Sequence, residues 1–199
     1  MSRIIYLLRH GQTEFNLERR MQGHCDSPLT ELGKSQARAM GATLSALLSE
    51  PQRWHVLASP LGRAQHTAKL VLSELGLPEQ HLQIDHRLIE VAFGEWEQQQ
   101  VLALFDQYPE LATQADWYFQ APACEPLAAV TTRLKAWLND PALPQYVVVV
   151  AHGLLGRILR GIYARLTAEQ MWQQDMPQDA LFRLQDGQIT RIECRQLVE

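Results

Sequence analysis

Two short stretches constrain this chain more than anything else in it: "IIYLLRHG" (Ile4 to Gly11) and "YVVVVAHG" (Tyr146 to Gly153). Each is a run of apolar, mostly β-forming residues that stops at a histidine and a glycine. Alternating apolar and polar residues would mark a strand with one wet face. An unbroken run marks a strand covered on both faces, as in a parallel sheet. A strand entering a core has no use for Arg9 or His10 at its end. A site at that end has.

The remaining pattern agrees with such a sheet. "WHVLASP" (Trp54 to Pro60) reads as a third strand and "LQIDHRLIE" (Leu82 to Glu90) as a fourth. "ALFRLQDGQITRIEC" reads as an edge hairpin turning at Asp186-Gly187. Between them lie helical periodicities. Thr30 opens "TELGKSQARAMGATLSALL", with Leu32, Ala39, Met40, Thr43, Leu44 and Leu47 on one face. "LGRAQHTAKLVLSEL", closed by Gly76 and Pro78, is a second helix; "EPLAAVTTRLKAWL" and "LLGRILRGIYARL" are two more. Strands alternating with helices predict an α/β fold: a three-layer α/β/α sandwich around a mostly parallel sheet, with a hairpin or edge strand near the C-terminus. The expected organisation is one domain over 1–199. Residues 95 to 126 lack clear periodicity and are expected to form a lid or insertion.

The 199 residues are 46% hydrophobic and 20% charged, with a formal net charge of -4. That balance offers no global attraction to nucleic acid or to anionic membranes, so neither is expected as a partner. Cys25, Cys124 and Cys194 are far apart and form no CxxC pair, which indicates neither a disulfide framework nor a zinc cluster. A reducing, cytoplasmic setting follows. The N-terminal apolar run is too short for a signal sequence. The oligomeric state stays open.

In open α/β sheets, ligands sit beyond the carboxyl ends of the strands. This places Arg9, His10, Ser59, Arg63, His152 and Gly153 at one rim, with Glu90 following the fourth strand. These side chains suit phosphoryl transfer. A neutral imidazole can attack phosphorus and form a phosphohistidine. Guanidinium groups grip non-bridging oxygens in bidentate fashion and stay charged throughout. A second imidazole can donate to a phosphoryl oxygen. A carboxylic acid can protonate the leaving alkoxide and then act as base toward water. Nothing in this set demands a metal or another cofactor.

The same residues carry a family resemblance. "LLRHGQTEFN" resembles the Arg-His-Gly-x-Thr signature of the histidine phosphatase superfamily, in its phosphoglycerate mutase-like branch. "MQGHCDSPLTELGKSQA", "ASPLGRAQHTA", "LIEVAFGEWE" and "VVVVAHGLLGRIL" resemble its further blocks, in the family's order, over residues 3 to 160. The resemblance implies that His10 is the phosphorylated nucleophile. It implies that Arg9, Arg63 and His152 hold the phosphoryl group and that Glu90 is the proton donor. Asn16, Gln22, Gly23 and Gly153 would line the phosphate pocket. The sequence departs from the family at Gln98, where glycine is usual, at "CEP" in place of Gly-Glu-Ser, which keeps Glu125 alone, and at His66.

Other features read as structural. His24, His55, His66, His81 and His86 share no metal-ligand spacing and are expected to be solvated or locally bonded. Arg157, Arg160 and Arg165 are expected on a solvated helix face. Trp96, Phe105, Tyr108, Trp117, Tyr118 and Phe119 are expected mainly in the core, with some share in the pocket.

Three activities fit: a hydrolase of small phosphomonoesters, a cofactor-dependent phosphoglycerate mutase primed by a bisphosphoglycerate, or a non-catalytic binder of phosphorylated ligands. From Leu88 through Thr132 there is no Lys or Arg, while Glu90, Glu95, Glu97, Asp106, Glu110, Asp116 and Glu125 fall there. A mutase must retain a second anionic group beside the pocket. The charge pattern therefore favours the hydrolase, and a binder has no use for an acid at Glu90.

Overall fold

The structure, a computed structural model, describes residues 3–194; the termini of the expected single domain lie outside the described residues. In chain order it comprises β1 (Ile4–Arg9), α1 (Glu14–Leu17), α2 (Glu31–Leu47), β2 (His55–Ala58), α3 (Gly62–Glu74), β3 (Leu82–Ile84), α4 (Val101–Gln107), α5 (Leu127–Leu138), β4 (Tyr146–Ala151), α6 (Gly153–Tyr163), α7 (Ala168–Gln173), β5 (Ala180–Gln185) and β6 (Gln188–Glu193).

The sheet runs β3-β2-β4-β1-β5-β6. Its first four strands are parallel. β5 and β6 form the antiparallel hairpin at the edge. The unbroken apolar runs are explained by burial on both faces. Tyr6 and Leu8 of β1, with Val148 and Val150 of β4, pack against Met40 and Leu44 of α2 and Ala68, Val71 and Leu72 of α3. Ile5, Leu7, Val147 and Val149 point the other way, to Leu134 and Trp137 of α5 and Leu155 and Ile158 of α6. Period-two alternation thus separates two cores rather than a core and solvent.

Two expectations are corrected. The fourth strand is only Leu82–Ile84. Asp85 then accepts from Arg87 N at 2.9 Å and caps a 3₁₀ turn over His86–Leu88, so Glu90 arrives on a loop. The Arg87 guanidinium is forked onto Asp85 and Asp140, which locks that turn. Second, Leu32 and Leu47 are not on the buried face of α2 but 55% and 45% exposed. Gly33, Ala37 and Gly41 take part in that face instead, because small residues let the helix lie close to its neighbours. Gly33 and Gly11 touch so closely that a Cβ on Gly11 would lie 2.1 Å from the Gly33 carbonyl oxygen.

Candidate active site

The parallel pairing of β1 with β4 sets Arg9 opposite Ala151, so the two His-Gly turns leave the sheet side by side. The rings of His10 and His152 meet edge to face, centroids 5.3 Å apart. On the other side of β4, Ser59 N bonds Val150 O at 3.1 Å and brings the Ser59–Arg63 segment to the same rim. A cleft there is lined by Arg9, His10, Asn16, Gln22, Gly23, Arg63, Glu90 and Gly153, among others. Eight of the nine site residues singled out from the sequence therefore share one cleft. The ninth, His152, lies just behind it, in ring contact with His10.

His10 is buried and its tautomer is fixed by its partners. Nδ1 lies 2.8 Å from Gly11 O, which can only accept, so Nδ1 carries the proton. Nε2 keeps its lone pair and accepts from Arg63 Nε at 3.2 Å. Burial, reinforced by Arg63 and Arg9, pushes the His10 pKa well below its ordinary value. The ring is held neutral with Nε2 as the free nucleophilic nitrogen.

His152 is buried as well, and burial with Arg63 beside it likewise pushes its pKa down. Its Nε2 lies 2.6 Å from Ser59 Oγ. The Ser59 hydroxyl also accepts from Leu61 N at 3.3 Å and keeps both its hydrogen and a second lone pair for His152. His152 Nδ1 is buried with no partner among the described residues, and it is a donor when Ser59 donates to Nε2.

The two arginines differ. Arg63 gives Nη1 to Cys25 O and to Asp26, Nη2 to Gly23 O and Nε to His10. One Nη2 hydrogen remains, so the expected bidentate grip is not open to Arg63 in this arrangement. Arg9 anchors only Nη1, to Met176 O at 2.5 Å. Its buried Nε has no partner, and the Nε/Nη2 edge is free for an anion. Gly153 makes room for it: a Cβ there would lie 3.2 Å from Arg9 Nε.

Glu90 is buried, and its carboxylate sits on the N-terminus of α6. Oε1 accepts from Val91 N and Leu155 N, Oε2 from Leu154 N at the longer 3.3 Å. Oε2 is the less engaged oxygen. Asn16 and Gln22 turn their carbonyls to protein donors: Asn16 Oδ1 accepts from Thr13 N, and Gln22 Oε1 from Thr13 Oγ1. Their amide hydrogens are left for a ligand. Gly23 adopts φ +55° against the Glu97 carboxylate, a position that favours glycine. Among the described residues, no cluster of three or more His, Cys, Asp or Glu could hold a metal ion.

Several contributors escape sequence reasoning. Met176 holds Arg9 through its carbonyl. Gln178 Nε2 donates to His10 O and Asn16 Oδ1, both at 3.1 Å. Nothing in "MPQDA" signals either. Arg20 and Tyr118 also line the cleft. Arg160 is corrected: it is 3% exposed, with its guanidinium 3.7 Å above the Phe182 ring and bonded to Asp175 O. It fastens the segment that carries Met176. His24 is locally bonded as expected, Nε2 to Glu90 O at 2.9 Å.

Comparison with known proteins fits this geometry. The chain is 33% identical over 199 aligned residues to the adenosylcobalamin/alpha-ribazole phosphatase of Escherichia coli (strain K12), covering 96% of this chain and 90% of that one. It is 33% identical over 156 residues to a probable phosphoglycerate mutase of Enterobacter sp. (strain 638), covering 75% and 69%. The crystal structure of the alpha-ribazole phosphatase from Shigella flexneri superposes with a TM-score of 0.76 at 29% identity, covering 98% of both chains. The model of the histidine phosphatase superfamily (branch 1) matches residues 5–191, and the chain belongs to that superfamily.

Proposed function

We propose that this protein hydrolyses small phosphomonoesters through a phosphohistidine on His10. The observation that carries the reading is the fixed tautomer of His10, a neutral nucleophile wedged between two guanidinium groups. Nε2 attacks phosphorus, and the ester P–O bond breaks. As the lone pair becomes a P–N bond, Arg63 Nε–H turns from nitrogen to a phosphoryl oxygen. Arg9 takes two oxygens on its free edge, and His152 Nδ1–H donates to one. Asn16 and Gln22 add amide donors. Glu90, acting as the acid, delivers a proton from Oε2 to the leaving oxygen. In the second half, Glu90 takes a proton from water as the water oxygen bonds to phosphorus; the P–N bond breaks, and inorganic phosphate leaves with Nε2 restored.

Three unpaired cysteines support a cytoplasmic setting. The mutase reading has in its favour the likeness to a probable phosphoglycerate mutase and, in the cleft, Arg20. That cation is already paired with Glu18 at 2.5 Å. Trapping with a ³²P-labelled monoester tests the proposal. Label should survive alkaline denaturation, leave in acid and map to His10, and turnover should persist after exhaustive chelation. Label elsewhere, or phosphoglycerate isomerisation outrunning hydrolysis, would overturn it.

A further inference from the structure

The cleft is polar around the catalytic groups, but part of its lining is apolar. Phe93, Tyr118, Met21, Leu154 and Met176 line the same cleft as the catalytic groups. Phe93 and Tyr118 are ring neighbours, centroids 6.1 Å apart with planes 30° from parallel. Behind Tyr118, Trp117 stacks at 4.3 Å. Trp117 in turn meets Phe105 edge-on at 5.0 Å and Trp96 at 6.1 Å. The wall is therefore braced from behind and cannot fold into the cleft without breaking a ladder of rings. Tyr118 also lies near enough to Arg9 to act on its charge, so the wall begins where the phosphoryl cradle ends.

The charges at the mouth decide what the wall can face. Arg9 and Arg63 belong to the phosphoryl group. Arg20, the third cation of the cleft, gives Nε to Glu18 and Nη1 to Gln98 O. The segment from Leu88 through Thr132 supplies no cation but several carboxylates. An anionic leaving group would find no unmatched positive charge here, while an apolar ring would find a prepared surface.

Resting on the hydrolase reading, we propose that the leaving group of the substrate is an uncharged moiety with a flat ring that lies on Phe93 and Tyr118, and that these two residues set specificity.

The test is a matched pair, 3-phenylpropyl phosphate against propyl phosphate. Their leaving alcohols have similar basicity, so a rate difference reports the ring and not the ease of bond cleavage. kcat/KM should favour the ring by about tenfold. The ratio should fall toward one in Tyr118→Ala and in Phe93→Ala, and the milder Tyr118→Leu serves if the alanine variants fold poorly. 3-Phosphoglycerate should be hydrolysed more slowly than propyl phosphate. Calorimetric binding of 3-phenylpropylphosphonate and propylphosphonate, which cannot be hydrolysed, reads the same preference without turnover. A ring preference in binding without hydrolysis would sink the hydrolase reading and keep the ring site. Hydrolysis with equal kcat/KM for the pair, a ratio unchanged in the folded variants, or preference for 3-phosphoglycerate would overturn the ring site and keep the hydrolase.

Discussion

At the inner end of the cleft, His10, Arg63 and Glu90 are each held by two or more directional hydrogen bonds, many of them to backbone groups at strand ends and helix starts. At the mouth, residues 93 to 120 form short 3₁₀ turns and one seven-residue helix, and their contacts are largely ring on ring. Hydrogen bonds fix individual atoms to within tenths of an ångström, whereas ring packing fixes a surface. The inner end can therefore dictate a reaction, and the mouth can dictate only what the reacting group is attached to. Substitutions inside should change chemistry for every substrate; substitutions at the mouth should change the ranking of substrates.

The sharpest attempt to break this division is His10→Ala. It should abolish turnover of every monoester and all phosphoenzyme, with cooperative unfolding retained. Residual labelling at another residue would show that the inner geometry does not fix the nucleophile. Glu90→Gln comes next. Phosphoenzyme formation from alkyl phosphates should slow by on the order of 10²-fold, and from nitrophenyl phosphate far less, because nitrophenolate leaves without a proton. Equal slowing would reduce Glu90 to a shaping role. The obvious substitute, Glu125, is unavailable, since Arg133 holds both its oxygens at 2.9 Å.

A smaller effect is expected one shell out. Ser59→Ala removes the hydroxyl bonded to His152 Nε2, the contact through which Ser59 would bias the proton to Nδ1, and should slow phosphoenzyme formation by about tenfold. The ¹⁵N shifts of His152 should show a change of tautomer. Slowing with an unchanged tautomer would leave Ser59 a packing residue only.

Acidity probes the same inner end. The lowered pKa of His10 in the folded state keeps it a nucleophile below the ordinary histidine range. The acid limb of kcat/KM that belongs to this group should lie well below about 6.5. Stability should move the other way. In the unfolded chain His10 and His152 take up protons at their ordinary pKa, and in the folded chain they resist. Their contribution is thus full above about pH 6.5 and is lost as pH falls below it. Urea midpoints from pH 7.5 to 5 check the direction.

The smallest effect lies at the mouth. Ala123 and Gln98 hold φ of +59° and +68°, a left-handed geometry that favours glycine. The family resemblance leads one to expect glycine at Gln98, and its φ is one that suits glycine. Ala123→Gly should raise stability by up to about 1 kcal/mol in denaturant titration, with the ring preference unchanged. A loss of stability would show that the alanine methyl packs usefully.

How much of this was legible in the sequence follows the same line. Arg9, His10 and His152 stood out because apolar runs end on them and the sheet must bring such ends together. Glu90 was placed at the right rim with the wrong support, a strand where Asp85 and Arg87 build a turn. Leu32 and Leu47 were assigned inward by periodicity alone, which did not foresee that the small residues Gly33, Ala37 and Gly41 would share the buried face. Arg160 read as solvated because no local pattern marks Phe182 and Asp175 as its partners. Met176 acts through a carbonyl every residue has, so nothing marked it; Tyr118 was among six aromatics given some share in the pocket, but a stretch without period did not separate it from the other five.

The placement of β1 has a consequence for how the chain is made. Among the described residues it precedes every other strand, yet it lies inside the sheet between β4 and β5, and Leu7 pairs with Val149 and Phe182. On a ribosome those partners emerge long after it does. Until then an apolar strand with two unsatisfied edges waits in the open, a condition that slows folding and invites association with other chains. Arg9 gains its Met176 anchor later still than its β4 partner Ala151. Nascent chains should therefore lack phosphatase-type chemistry until β4 and the segment that carries Met176 have emerged.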